Sequence, residues 1–203
     1  MQTPGEVFPD IQDILTQLDA AERDAVMLAA DLTEEQGWWL ISPDSWSVAQ
    51  CLDHLASTNH VYLQAMTEAA DRARGGGRPR RSPAKPGIVG RLFLKSIEPP
   101  VKPLFRIRAP RSIQPRPTPP LADALARLKL SQNEARAFLS VYADLDLAGI
   151  RFANPFMPGA RFSLATGLHV ISAHERRHLW QAWRVRRAAL GEASHSIQDP
   201  SAA

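Results

Sequence analysis

The last helix-forming stretch of the chain carries a stripe of residues with the spacing of a buried helix face. Its members are separated by steps of four, three, four, three and four residues: Gly167, Ile171, His174, His178, Gln181 and Val185. This rhythm is typical of a helix that packs along a bundle seam. Leucines usually occupy such positions. Here the pattern predicts that one helix places two imidazole rings, those of His174 and His178, in the interior of the protein.

Three other segments also have apolar residues at helical intervals. Pro9 is favoured in the first turn of a helix, and Ser47 forms a capping-box motif with Gln50 at the start of the second helix. Ser163 opens the last helix. No run of residues alternates with a period of two, so the sequence predicts an all-α four-helix bundle. The predicted helices cover about residues 9–36, 47–73, 121–143 and 163–190.

A long insert, about residues 74–120, separates the second and third of these helices. It contains 11 of the 17 prolines, so we expect it to be mostly irregular apart from a short helix at Ile88–Ile97. A connection of this length allows the second and third helices to run parallel, as in bundles with a long crossover. The predicted order of the four helices is therefore up-down-down-up.

Charge is distributed unevenly along the chain. Residues 72–120 carry 13 Lys or Arg against one acid, Glu98, although the whole chain has a net charge of only +3. The remainder of the chain then has a net charge of −9. The basic insert could lie across the acidic body of the protein itself, or it could contact nucleic acid or an acidic partner.

Composition favours a single reduced domain. The chain has 203 residues, of which 44% are hydrophobic, and its one cysteine, Cys51, cannot form an internal disulfide. No apolar run is long enough to span a membrane, and the first residues do not resemble a signal peptide. We expect a cytoplasmic protein that contacts no membrane, with one domain at 1–190 and a polar tail at 191–203.

Helical phase selects a third histidine to join His174 and His178. Residues advance by about 100° each along a helix, which places His54 at the margin of the buried stripe of the second helix. The three remaining histidines point away from the core or lie in the tail: His60, His169 and His195. Each core imidazole could instead be satisfied by a hydrogen bond, but a shared divalent metal ion satisfies all three at once.

Other residues near the pair are candidates for secondary roles. Cys51 and Gln181 are expected beside the site as outer-sphere residues, Cys51 more readily as a small buried hydrophobe than as a fourth ligand. We expect water at the open coordination position. His174 and His178 also match the H-E-x-x-H motif of zinc proteases, but no third ligand follows downstream, and helical phase predicts that Glu175 faces solvent. No general base is assigned.

Several of these segments together resemble the DinB family, including its DinB-like and thiol-S-transferase branches. The resemblance covers about residues 8–190, and its motifs are Trp46-Ser47, Cys51-Leu52-Asp53-His54-Leu55, the loop from Asn154-Pro155 to Phe162, and His174-Glu175-Arg176-Arg177-His178-Leu179-Trp180-Gln181. It implies an up-down-down-up bundle with a divalent ion, zinc or nickel, on three histidines, and often a homodimer. Some relatives transfer or use low-molecular-weight thiols.

Two hypotheses on function follow. The first is a metal-dependent hydrolase or thiol-S-transferase, because three histidine ligands leave a tetrahedral ion one open position for a small-molecule substrate or a thiol cofactor. The second is a non-catalytic binding module, in which the metal stabilises the bundle and the basic insert contacts nucleic acid or an acidic partner.

Overall fold

The computed structural model describes residues 7–100 and 109–192. Within them the chain is mostly helical, which confirms the all-α prediction. The elements are α1 (Pro9–Ala29), α2 (Glu34–Trp38), α3 (Val48–Gly75), α4 (Ile88–Ile97), α5 (Leu121–Tyr142), β1 (Arg151–Ala153), β2 (Arg161–Ser163) and α6 (Leu164–Ala189), with a 3₁₀ turn at Arg111–Ile113. None of the described helices is long and apolar enough to cross a membrane. The predicted tail lies almost entirely outside the described residues.

The four long helices, α1, α3, α5 and α6, form the body of the molecule. Helix α3 packs against both α5 and α6, and α1 packs against the same two helices. The short helix predicted at residues 88–97 is present as α4, and it packs on α6.

The beginning of α3 confirms the predicted capping box. The Ser47 hydroxyl accepts a hydrogen bond from the Gln50 amide at 3.1 Å, and the Gln50 side chain accepts one from the Ser47 amide at 3.0 Å. Both bonds satisfy amides that have no partner within the helix. The register of α3, and with it the position of His54, is set at this point.

Two local predictions were wrong. The first helix ends at Ala29, and a separate short helix, α2, with its own capping box at Thr33, includes Gly37. The chain also forms a small antiparallel sheet, in which Phe152 of β1 pairs with Phe162 of β2. Strands of three residues are too short to produce a visible alternating pattern, so periodicity missed them.

The apolar core is divided into two clusters by a layer of polar side chains. One cluster contains the first half of α1 and α6 and the second half of α3 and α5; the other cluster contains the opposite halves. Between the two clusters three of the four long helices contribute buried polar residues: Thr58 and Asn59 from α3, Ser131 and Gln132 from α5, Ser172, Glu175 and His178 from α6. We call this the polar layer.

Helix α6 approaches α3 closely at one glycine. A Cβ atom at Gly167 would lie 2.7 Å from the Met66 sulfur and 2.9 Å from the Phe152 ring, closer than van der Waals contact allows. Only glycine fits here without a shift of its neighbours. The close approach lets α6 pass directly over α3, two turns before its histidines.

Candidate metal centre

The three predicted histidines lie together at the edge of the polar layer. The ring centroids are 4.7 Å apart for His54 and His178, 5.1 Å for His54 and His174, and 4.5 Å for His174 and His178. One potential ligand atom from each ring lies within 4.8 Å of the other two. Helices α3 and α6 therefore bring residues that are 120 positions apart in sequence into one cluster, which we call the histidine cluster.

The cluster is withdrawn from solvent. His54 is 2% exposed and His178 is 8% exposed, whereas His174 is partly exposed and lies on the open side. Burial lowers the pKa of all three histidines, that of His174 and His178 well below the ordinary value, and for His174 and His178 the neighbouring imidazoles act in the same direction. All three rings are therefore neutral at physiological pH, which is the form that binds metal ions.

Two buried ring nitrogens of the cluster have no hydrogen-bond partner among the described residues. They are Nδ1 of His174 and Nδ1 of His178. An unpaired buried polar atom costs about 1–3 kcal/mol. A divalent cation bound among the rings would be a partner for one nitrogen of each imidazole and would fix the orientation and tautomer of the rings, so the residues present fit a divalent metal ion.

His54 has a fixed tautomer. Its Nδ1 lies 2.7 Å from the carbonyl oxygen of Ile113, and because a carbonyl can only accept, this nitrogen carries the proton. The remaining nitrogen, Nε2, is left with its lone pair free. This is the usual arrangement of a metal-binding histidine, which donates its other N–H to a carbonyl or carboxylate.

The carbonyl that orients His54 belongs to the basic insert, and Asp53 anchors it. The Asp53 carboxylate, 1% exposed, accepts hydrogen bonds from the Arg116 amide at 2.9 Å and from the Arg116 guanidinium at 2.7 Å, and it also pairs with Arg127. Burial alone would raise the pKa of Asp53, but the bonds from Arg116 hold it below its ordinary value. Asp53 therefore fixes the segment that contains Ile113 against α3.

One further aromatic residue borders the histidine cluster. The Trp46 ring lies 4.6 Å from the His54 ring and 5.6 Å from the His178 ring, centroid to centroid. Trp46 directly precedes Ser47, the cap of α3. It is partly exposed and covers one side of the cluster with apolar surface.

Glu175 does not face solvent, and that prediction was wrong. Its side chain is fully buried, and its Oε1 accepts a hydrogen bond from the Asn59 amide at 2.7 Å. Asn59 also donates to the Ser131 hydroxyl at 3.3 Å, and the Gln132 side chain lies near the same carboxylate. Burial raises the pKa of Glu175 to about 7. We call these four residues the carboxylate cluster.

Glu175 is buried because α6 is enclosed by its neighbours over its first four turns. The prediction from helical phase rested on a single buried face of α6. Residues 164–168 and 170–173 are all buried, so a position 100° from His174 also lies in the protein interior. A signal for this was available in the sequence. Asn59 and Gln132 interrupt the apolar stripes of their own helices, which indicates a polar partner inside the core.

The other predicted residues have different environments. Cys51 is fully buried in the apolar cluster that contains Leu52 and Val185, and burial raises its pKa to about 12. Gln181 is partly exposed and lies near enough to His178 to oppose the lowering of its pKa. Their predicted role beside a metal site stays a prediction.

The histidines outside the cluster are placed as follows. His60 is exposed and pairs with Glu134 at 3.1 Å. His169 was predicted to face outward, but it is partly buried, with Nε2 3.3 Å from the Ala84 carbonyl oxygen. His195 lies outside the described residues. Neither His60 nor His169 joins the histidine cluster.

Two contributors to the site were missed by sequence reasoning. Ile113 acts through its backbone carbonyl, and the identity of a residue gives no signal for that role. Asp53 was detectable in principle. It directly precedes a core-facing histidine, and the chain contains many arginines, which can bind a buried carboxylate through charge-assisted hydrogen bonds.

Comparisons with known proteins give one result. The family model of the DinB superfamily matches residues 17–182. A search of curated proteins and a search of solved structures found no match. The matched range includes all three residues of the histidine cluster and most of every long helix. The chain belongs to the DinB superfamily.

Proposed function

We propose that this protein binds one divalent metal ion, zinc or nickel, with His54, His174 and His178 as its ligands. The observation that carries the proposal is the position of one ring nitrogen from each histidine within 4.8 Å of the others, in a buried cluster. Imidazole is the commonest metal ligand among side chains and suits both of these ions.

We further propose that the bound ion is used in hydrolysis or in transfer of a low-molecular-weight thiol. A divalent ion on three protein ligands acts as a Lewis acid with one position open. The chain itself contributes orientation, through the Ile113 carbonyl on His54, and shielding from water, through the Trp46 ring. The partly exposed side at His174 is the entry path for a small molecule.

The fold proposed for this site is the up-down-down-up four-helix bundle. It is supported by the order in which each helix passes through the two apolar clusters. Helices α3 and α5 pass from the cluster containing Leu52 to the cluster containing Tyr62, whereas α1 and α6 pass in the opposite sense. A long crossover between α3 and α5 is what two parallel neighbours require.

Metal analysis of the purified protein tests the proposed ligands. We expect about one zinc or nickel ion per chain in the parent and a strong loss of metal in His54→Ala and in His178→Ala. His60→Ala is the matched control, because His60 lies on the same helix as His54 but is exposed and bound to Glu134. Stoichiometric metal that persists in both cluster variants would contradict the assignment.

A screen with thiols separates the two proposed reaction classes. Calorimetry of the metal-loaded protein with bacillithiol-like and mycothiol-like thiols should detect binding that disappears when the metal is removed. Turnover of ester or amide substrates without any thiol would favour the hydrolase instead. The predicted homodimer is tested separately by sedimentation equilibrium.

The binding module remains the alternative, and the exposed face of α4 is the observation that favours it. Ile88, Val89 and Leu92 are 70%, 73% and 65% exposed, and the cations beside them form no ion pair with any described residue: Arg81, Lys85, Arg91 and Lys95. Other cations of the insert pair with the body of the protein, as Arg80 does with Asp10. A DNA-binding titration at low salt that gives no association would exclude the nucleic-acid version.

A further inference from the structure

Two adjacent arginines of α6 have different environments. The Arg176 guanidinium pairs with Glu98 and donates a hydrogen bond to the Gln17 side chain at 2.9 Å. Arg177 is partly buried, yet it forms no hydrogen bond or ion pair with any residue in 7–100 or 109–192. Burial lowers the pKa of Arg177, and no described carboxylate acts against that shift.

Arg177 lies beside the histidine cluster. It follows His174 by three residues and directly precedes His178, which places it about 60° from His174 around the helix. Its positive charge acts to lower the pKa of His54, His174 and His178 alike. By this spacing Arg177 projects from the side of α6 that borders the histidine cluster.

A cation in this position does not help the protein to bind a metal ion. It is repelled by a divalent ion on the histidines, and its partial burial without a partner among the described residues is unfavourable. An anion bound beside the metal would remove both penalties, because it would be attracted to the ion and to the guanidinium. Guanidinium groups bind carboxylate and phosphate through two parallel hydrogen bonds.

We infer that the metal centre accepts an anionic small molecule whose carboxylate or phosphate oxygens are bound by Arg177. This inference rests on the proposed metal site and specifies the chemical class of its substrate. Trp46, which packs on His54 and His178, provides apolar surface for the rest of the molecule. Arg177 is thus a substrate-binding residue, and no bond is made or broken at its side chain.

Cobalt-loaded protein allows the inference to be tested, because the visible spectrum of Co²⁺ reports on ligands at or near the ion. The parent, Arg177→Gln, Arg177→Lys and Arg184→Gln are loaded with cobalt and titrated with acetate and with inorganic phosphate. Arg184 is the matched control: it is exposed, lies seven residues further along α6, and its replacement changes the net charge equally. Cobalt content and melting temperature are measured for every variant first.

We expect the parent and Arg184→Gln to bind at least one anion with the same affinity, and the tighter anion identifies carboxylate or phosphate as the recognised group. Arg177→Gln should bind it at least about 10-fold more weakly, and Arg177→Lys should fall between the two. Because Arg177→Gln removes a partly buried charge that has no partner among the described residues, it should melt no lower than the parent. A structural role for Arg177 would give a lower melting temperature instead.

Three results would overturn the inference. Equal anion affinities for the parent and Arg177→Gln would do so, as would a parent that binds neither anion up to about 100 mM, where even a millimolar ligand saturates its site. If Arg177→Gln fails to fold, Arg177→Lys takes its place in the comparison. An anion affinity of Arg177→Lys equal to that of the parent would then overturn the inference. A parent that takes up no cobalt would overturn the proposed metal site and this inference together.

Discussion

The polar layer contains two clusters that begin at adjacent residues of α6 but differ in chemistry. His174 belongs to the histidine cluster with His54 and His178, whereas Glu175 belongs to the carboxylate cluster with Asn59, Ser131 and Gln132. The carboxylate cluster combines donors with acceptors, and Asn59 donates to both Glu175 and Ser131, although four buried atoms of its side chains have no partner among the described residues. The histidine cluster consists of three groups of one kind, and two of its buried nitrogens have no partner among the described residues.

This difference teaches how a buried polar group can be recognised as a binding site. Burial and a shifted pKa occur in both clusters, so neither property distinguishes them. The distinguishing property is the chemistry of the groups: hydrogen bonds join Asn59 to Glu175 and to Ser131, whereas no hydrogen bond joins the three imidazoles to one another. A cluster that mixes donors and acceptors can form hydrogen bonds within itself, whereas three converging neutral imidazoles are suited to hold a cation.

The largest expected effect is on the carboxylate cluster, in the variant Glu175→Gln. The pKa of Glu175 is about 7 in the folded protein and ordinarily 4.5, so between these values the folded state binds more protons than the unfolded state. The free energy of unfolding therefore falls as pH rises from about 4.5 to 7. Glutamine does not titrate, so relative to the parent the variant gains up to about 3 kcal/mol between pH 4 and pH 8.

Urea unfolding of both metal-free proteins at several pH values measures this effect. The lowered pKa values of the three histidines act in the opposite sense, but they are common to parent and variant and cancel in the difference. The variant should still bind about one zinc ion per chain. Unfolding free energies that stay parallel for the two proteins from pH 4 to 8 would show that Glu175 is not a buried acid of raised pKa.

A smaller effect is expected at the histidine cluster from Arg116→Ala. The change removes the guanidinium that holds Asp53 and so loosens the segment whose Ile113 carbonyl orients His54. Loss of such outer partners costs about 10–100-fold in metal affinity, and we expect the lower end because Arg127 still pairs with Asp53.

Competition with a chromophoric zinc chelator measures this change. Arg111→Ala is the matched control, since Arg111 is exposed, belongs to the same segment and pairs with no described acid. Equal zinc affinities for Arg116→Ala and Arg111→Ala would mean that the insert does not support the site.

The smallest effect is expected from Cys51→Ala. Cys51 is fully buried among apolar side chains, and burial raises the pKa of its thiol to about 12, so it packs as a hydrophobe. Removing its sulfur should lower the free energy of unfolding by about 1 kcal/mol and leave zinc affinity unchanged. The same chelator competition checks this, and a loss of affinity as large as that of His54→Ala would make Cys51 a ligand.

The sequence was sufficient to predict the long helices and the histidine cluster, because both depend on local periodicity. Capping at Ser47 and Ser163 sets the start of α3 and α6, and helical phase then identifies the core-facing histidines. The sequence-based prediction failed at Glu175, because a helix packed against several neighbours has more than one buried face. It also missed the contact between Ile113 and His54, which depends on where a long insert crosses α3.

The central claim, that the histidine cluster is a metal site, is tested most directly by X-ray absorption spectroscopy of the zinc-loaded protein. We predict a first coordination shell with three imidazole nitrogens at about 2.0–2.1 Å and no sulfur at about 2.3 Å. Zinc without imidazole scattering, or zinc with a sulfur ligand, would contradict the account.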